Sequence, residues 1–173
     1  MIVCVDESAF YLLPGVVRTY APRGETPFLE VLLTRKHLSV MSGITSTGYL
    51  ATMTRRCSMT GQDSSIFLRH LFDYLNHKLL IIWDQLNIHR AEEVKTLLSC
   101  GWAGLIHLEE FPGYAPDLNP DEGVWKHLKQ FELRNICCVD LDHLDAELTL
   151  AIRRMRRRPE LIRSFFAQAE LDL

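Results

Sequence analysis

Leu79-Leu-Ile-Ile-Trp83-Asp84 is a run of five apolar residues that ends on an aspartate. Five residues suit a strand, and continuous apolar character marks one covered on both faces. Met1-Ile-Val-Cys-Val5-Asp6 repeats the pattern at the start of the chain and also closes on an aspartate. Leu105 to Leu108 makes a third such strand. Working outward, Gly61 to Asn76 carries Ile66, Phe67, Leu71, Tyr74 and Leu75 at helical spacing, and Ala91 to Cys100 puts Val94, Leu97 and Leu98 on one face. Farther on, Pro120 to Leu133 has Val124, Leu128 and Phe131 at i, i+4 and i+7. Leu141 to Arg158 carries Leu144, Leu148, Ile152 and Met155, with Pro159 as its stop. On the N-terminal side, residues 29–34, Leu38 to Ile44 and Tyr49 to Thr54 read as strands, with Thr45-Ser-Thr-Gly48 as a hairpin turn. Strands first and alternation afterwards predict an α/β fold. The mixed sheet has three antiparallel strands, then parallel βαβ units, and helices flank it.

The 173 residues suffice for one domain with a real core and are too few for two comfortable ones, so a single domain over 1–173 is expected. The longest apolar run is far too short to cross a bilayer. The N-terminus lacks a basic region and a cleavage signal, so it reads as a strand. The five cysteines, at 4, 57, 100, 137 and 138, show no C-x-x-C spacing. Neither a zinc site nor a disulfide framework is suggested, and reduced thiols fit a cytoplasmic protein. The net charge of -3 argues against a generally basic surface. Its distribution is uneven, however. Arg153, Arg154, Arg156, Arg157 and Arg158 crowd together, whereas acidic residues collect at 109–110, 117–122 and 140–147. The arginines end a helix, where the macrodipole favours positive charge, and they could equally touch a nucleic-acid backbone.

In open α/β sheets, ligands gather outside the carboxyl ends of the strands. If their strands are parallel neighbours, Asp6 and Asp84 converge on one edge. Either alone could instead cap the turn that follows it. A third acidic cluster opens the helix after the third apolar strand: Phe111-Pro112-Gly-Tyr114-Ala-Pro116-Asp117-Leu-Asn119-Pro120-Asp121-Glu122-Gly-Val-Trp125. Asn119 as N-cap, Pro120 at N1 and Glu122 at N3 form a capping-box pattern. On a helical wheel Asp121 falls near Val124 and Leu128, inside the apolar stripe. Glu122 lies on the flank with Lys126 and Lys129. Geometry thus favours Asp121 as the inward carboxylate, and capping gives Glu122 a structural use. Glu7 alternates to the face opposite Asp6 and reads as a salt-bridge or turn residue. Trp125 reads as a core anchor.

Asp6-Glu7-Ser8, Trp83-Asp84-Gln85 with His89-Arg90, and the block from Tyr114 to Glu122 with Trp125 resemble the DDE transposases of the mariner superfamily, in their bacterial insertion-sequence branch. Arg18-Thr-Tyr-Ala-Pro22-Arg-Gly24-Glu-Thr-Pro27 is similar to the arm between that family's first strands. The resemblance covers nearly the whole chain, and Pro116-Asp-Leu-Asn-Pro-Asp-Glu122 is its most specific part. It implies a ribonuclease-H-like fold and makes Asp6, Asp84 and Glu122 the catalytic, metal-binding triad. The 37 residues between Asp84 and Glu122 are close to the family's usual spacing. At position 121 the family usually has an apolar residue, at 85 often an asparagine, and at 89 a histidine. That histidine could contact phosphate or orient water, or simply lie at the surface or cap the helix. No N-terminal helix-turn-helix region, as the family normally carries, precedes the first strand.

The expected chemistry is metal-dependent DNA cleavage and strand transfer. Three carboxylates without a histidine–cysteine set suit Mg²⁺ or Mn²⁺ better than Zn²⁺. Two ions are expected, with Asp6 bridging both and Asp84 and Glu122 each holding one. The partners implied are transposon-end and target DNA and a second copy of the chain in a homodimer, with no membrane. Two other readings use the same residues: a catalytically inactive remnant that binds DNA or protein, and a ribonuclease-H-like nuclease acting on RNA–DNA hybrids.

Overall fold

The computed structural model describes residues 1–31, 34–113 and 115–171. Strand β1 (Ile2–Tyr11) is the middle of the sheet. It runs antiparallel to β2 (His37–Ile44), which turns back into β3 (Leu50–Arg55). On its other side β1 is parallel to β4 (Leu79–Trp83), and β4 is parallel to β5 (Ile106–Glu110). The order is therefore β3-β2-β1-β4-β5. This is the mixed sheet expected from the sequence, antiparallel through its first three strands and parallel afterwards.

Successive residues of a strand face opposite sides, and the core divides accordingly. On one side Val3, Val5, Ile81 and Trp83 pack against Phe67, Leu68 and Leu71 of helix α1 (Gly61–Leu75) and Val94 and Leu97 of α2 (Glu92–Leu97). On the other side Cys4, Phe10, Val40 and Ile44 meet α3 (Asp121–His127), α4 (Leu141–Arg156) and α5 (Pro159–Gln168). Among the described residues no helix is long and apolar enough to cross a membrane. All five cysteines are free thiols.

Helix α1 begins where Thr60 and Asp63 exchange side-chain and backbone hydrogen bonds, and it ends at Asn76 in the left-handed region. Helices α2 and α3 each run on into a wide π-type turn, Leu98–Trp102 and Leu128–Glu132. Three expectations require correction. Residues 29–31 and 34 form no strand, and residues 32–33 lie outside the described residues. The helix expected to end at Arg158 stops at Arg156. Pro159 then starts a further helix, α5, because proline at a first helical position gives up only an amide that has no helical partner. Helix α5 buries Ile162, Phe165 and Phe166 under the sheet. Its first residue lies over the β2–β3 turn, where a side chain on Gly48 would stand 2.6 Å from the Pro159 carbonyl oxygen.

Candidate active site

The parallel ladder between β1 and β4 pairs Val3 with Ile81 and Cys4 with Ile82. Two residues further along each strand stand Asp6 and Asp84. They occupy equivalent positions on adjacent strands, Asp84 just past the end of β4 and Asp6 inside β1, which runs on to Tyr11 instead of closing at Asp6 as its apolar pattern implied. Asp6 lies within β1 and is 8% exposed. Its Oδ2 accepts a hydrogen bond of 2.9 Å from the Trp125 indole, which α3 brings across the sheet. Burial lifts the Asp6 carboxyl to about 7, against the hydrogen bonds from Trp125 and the Glu7 backbone, and the charges of Glu7 and Glu122 add to the rise.

Asp84 is more open. Its Oδ1 accepts the Leu86 amide at 3.0 Å and lies 3.0 Å from His89 Nδ1. Burial would raise its pKa, but the hydrogen bonds from His89 and Leu86 prevail and hold it below the usual carboxylate value. His89 is buried, stacked flat on Trp83 with ring centroids 4.1 Å apart, and its Nε2 lies 2.8 Å from Glu7 Oε1. Burial disfavours its charged form, yet the hydrogen bonds to Asp84 and Glu7 outweigh that and lift the imidazole to about 10. Its Nε2 faces the Glu7 carboxylate, and its Nδ1 faces the Asp84 backbone carbonyl oxygen, with Asp84 Oδ1 equally near. Of the roles the sequence left open for His89, a surface position is excluded, since the residue is 3% exposed. Glu7 is a salt-bridge residue, as its alternation implied.

The third acidic position resolves into two environments. Asp121 is fully buried, and Ser42, the cross-strand neighbour of Asp6, donates its hydroxyl to Asp121 Oδ1. Among the described residues Asp121 Oδ2 has no hydrogen-bond partner. Burial, then the Asp6 charge, raise this carboxyl well above the ordinary range. Glu122 is exposed and makes no hydrogen bond through its side chain among the described residues. The capping box expected there does not form: Asn119 Oδ1 accepts the Asp121 amide, and Glu122 does not reach back. Tyr114 of the motif lies outside the described residues.

Sequence reading missed Lys129, whose Nζ donates to Ser8 Oγ at 2.7 Å and sits 5.2 Å from the Phe10 ring centroid. Burial lowers its pKa, while Glu122 and Asp6 pull it the other way. Lys129 follows Glu122 by two helical turns, and Ser8 follows Asp6 by one strand repeat. That shared periodicity was the available signal. An open cleft runs from Asp84–Leu86 past Phe111–Gly113 to Asn119, at the foot of α3.

The donor chemistry fits hard divalent cations. On Asp6 and Asp84 one oxygen is fixed by a side-chain or backbone donor and the other accepts no hydrogen bond from a side chain, while Glu122 has both oxygens free. A carboxyl raised by burial and by like charge gains from a nearby cation. Among the described residues, Glu7, Asp84 and His89 are the three candidate ligands whose atoms lie within 4.8 Å of one another. In that set both ring nitrogens of His89 are already engaged, Nε2 with Glu7 Oε1 and Nδ1 with Asp84, so the histidine offers an ion no free nitrogen. Among the described residues Asp6, Asp84 and Glu122 are not so tightly grouped.

Sheet order, the helices on both faces and the neighbouring aspartates on β1 and after β4 define a ribonuclease-H-like fold. A family model described as the DDE superfamily endonuclease matches residues 1–144, and the chain belongs to that family. No curated protein sequence matches it. Among solved structures, the mariner Mos1 paired-end complex with Mg superposes with a TM-score of 0.68 at 16% identity, covering 98% of this chain and 53% of that one. The catalytic domain of Mos1 mariner transposase gives 0.51 at 14% identity, over 97% of this chain and 82% of that one. A simian T-cell lymphotropic virus intasome gives 0.50 at 11% identity, over 85% and 46%. The chain thus spans about half the length of the paired-end structure, 53%. At these identities the likeness is one of fold.

Proposed function

We propose that this chain is the catalytic domain of a DNA transposase, cleaving and rejoining phosphodiesters with divalent metal held by Asp6, Asp84 and Glu122. The observation that carries the reading is the placement of Asp6 and Asp84 side by side, each two residues beyond the last pair of the parallel β1–β4 ladder, with the charge of Glu122 felt at Asp6. Asp6, Asp84 and Glu122 would hold Mg²⁺ or Mn²⁺, two ions in this reading, and the bound metal would supply charge neutralisation at the phosphate and activation of water or a DNA 3′-hydroxyl. Trp125 fixes the Asp6 carboxylate by its indole hydrogen bond, so this ligand is oriented before any ion arrives. The exposed Glu122 leaves its whole carboxylate to the site. The open cleft from Asp84 to Asn119 offers a groove along which a nucleic-acid strand can lie. Mos1 complexes, in which that protein is assembled with transposon ends, support DNA as the substrate here.

Nicking of supercoiled plasmid in Mg²⁺ and Mn²⁺ tests the proposal. The parent chain nicks, while Asp6→Ala and Asp84→Ala fall to the level of the metal-free control. A parent chain inactive with both metals on duplex DNA, or active only on RNA–DNA hybrid, would overturn it.

A further inference from the structure

We infer that Glu7 and His89 form a strap between β1 and β4 that sets the separation of Asp6 and Asp84, making both positioning residues of the metal site; this rests on the proposed function. The β1–β4 ladder ends at Cys4 and Ile82. Asp6 and Asp84 stand two residues beyond it, where β1 continues against β2 to Tyr11 and β4 is already finished at Trp83. Backbone pairing therefore does not fix the gap between the two aspartates. A side-chain bridge does. His89 Nε2 lies 2.8 Å from Glu7 Oε1, and its Nδ1 lies 3.0 Å from Asp84 Oδ1 and 3.0 Å from the Asp84 carbonyl oxygen.

Each part of the bridge is immobilised. Glu7 follows Asp6 directly on β1. The His89 ring is 3% exposed and lies within 2° of parallel to the Trp83 indole, so it cannot turn without leaving that stack. The Leu86 amide holds the same Asp84 oxygen, and Arg90 grips Glu110 at the end of β5 with two hydrogen bonds of 2.7 and 2.6 Å. Glu7 Oε2 is buried without a partner, so His89 is what holds this carboxylate. A rigid ring bonded at both ends spans two strands with a fixed width. Groups that orient ligands in this way typically change metal affinity 10–100-fold when removed, roughly.

The test is Mn²⁺ binding without DNA, read from the electron paramagnetic resonance signal of the free ion, alongside thermal unfolding. The chains are the parent, Asp84→Ala, Glu7→Ala, Glu7→Gln and His89→Gln. Glu7→Gln keeps an oxygen acceptor for His89 and should bind Mn²⁺ within a few-fold of the parent, roughly. Glu7→Ala and His89→Gln should fold and bind about 10–100-fold more weakly. Should Ala at position 7 unfold the chain, Glu7→Asp, a methylene short of the ring, carries the same expectation. Folded Glu7→Ala and His89→Gln with parental affinity would overturn the strap while leaving the metal reading intact. Equal loss in Glu7→Gln and Glu7→Ala would also overturn it, because Glu7 would then be a ligand itself. A parent chain that binds no Mn²⁺ would overturn the metal reading, and the strap with it.

Discussion

Asp121 and Glu122 are sequence neighbours in opposite surroundings. The Asp121 carboxyl is fully buried and hydrogen-bonded to Ser42, and burial with the Asp6 charge raises its pKa well above the usual range. Asp121→Asn keeps the shape of the side chain and an oxygen acceptor for Ser42. Glu122→Gln removes an exposed charge, which away from packed or paired groups changes stability by less than about 0.5 kcal/mol. The expected result is that both variants melt close to the parent, that Asp121→Asn still nicks plasmid, and that Glu122→Gln does not. The reverse pattern would move the third ligand to Asp121. The sequence could not separate the two, because a wheel favoured one and a motif the other. What separates them is the seating of α3 on Ser42, 79 residues away. Asp6 and Asp84 were legible because their signal is local, an apolar run closed by a carboxylate. The Glu7–His89 contact spans 82 residues and left no local trace.

At the scale of elements, β4, β5 and helices α1 to α4 came through within a few residues, while β1 runs to Tyr11, six residues past its apolar run, because β2 pairs with it along that length. Helix α5 was lost because Pro159 was read as a stop, although the same residue is equally suited to a first helical turn. The residues 29–34 looked like a strand by composition, but a strand needs a neighbour, and the described part of that segment finds none. Helix α5 matters to the site because it presses on α3 directly behind Glu122. A Cβ on Gly123 would fall 2.5 Å from Phe165 Cδ1. Alanine in a helix is favoured over glycine by roughly 1 kcal/mol. Overpacking a dense core costs about 1–3 kcal/mol. Because the clash is with the ring and Cβ of a buried phenylalanine, the packing term wins. Gly123→Ala should lower stability by roughly 1–2 kcal/mol in urea unfolding. A stabilised variant would show that α3 and α5 are less closely packed than described.

The molecule as a whole carries a net charge of -3, and any grip on DNA must come from local positive charge. Along the end of α4, Arg154 is occupied by Glu132, and Arg156 holds the Leu50 carbonyl and the Thr52 hydroxyl of β3. Arg153, Arg157 and Arg158 are exposed, and their side chains make no hydrogen bond among the described residues. They sit beside β3, two strands removed from β1, so they are placed to hold a backbone rather than to touch the reacting phosphate. Their position at a helix end also satisfies the macrodipole, which predicts no salt-dependent DNA affinity. The two roles separate in a titration of duplex DNA across salt concentrations. Each phosphate contact contributes about 0.9 to the slope of log affinity against log salt. Replacing Arg153, Arg157 and Arg158 together by Gln should flatten that slope by roughly 2–3. Nicking at low salt and saturating DNA should persist, since the carboxylates and the groups that hold them are untouched. An unchanged slope would leave these arginines with the helix end alone, and place the contact surface for DNA on the cleft beside Asp84.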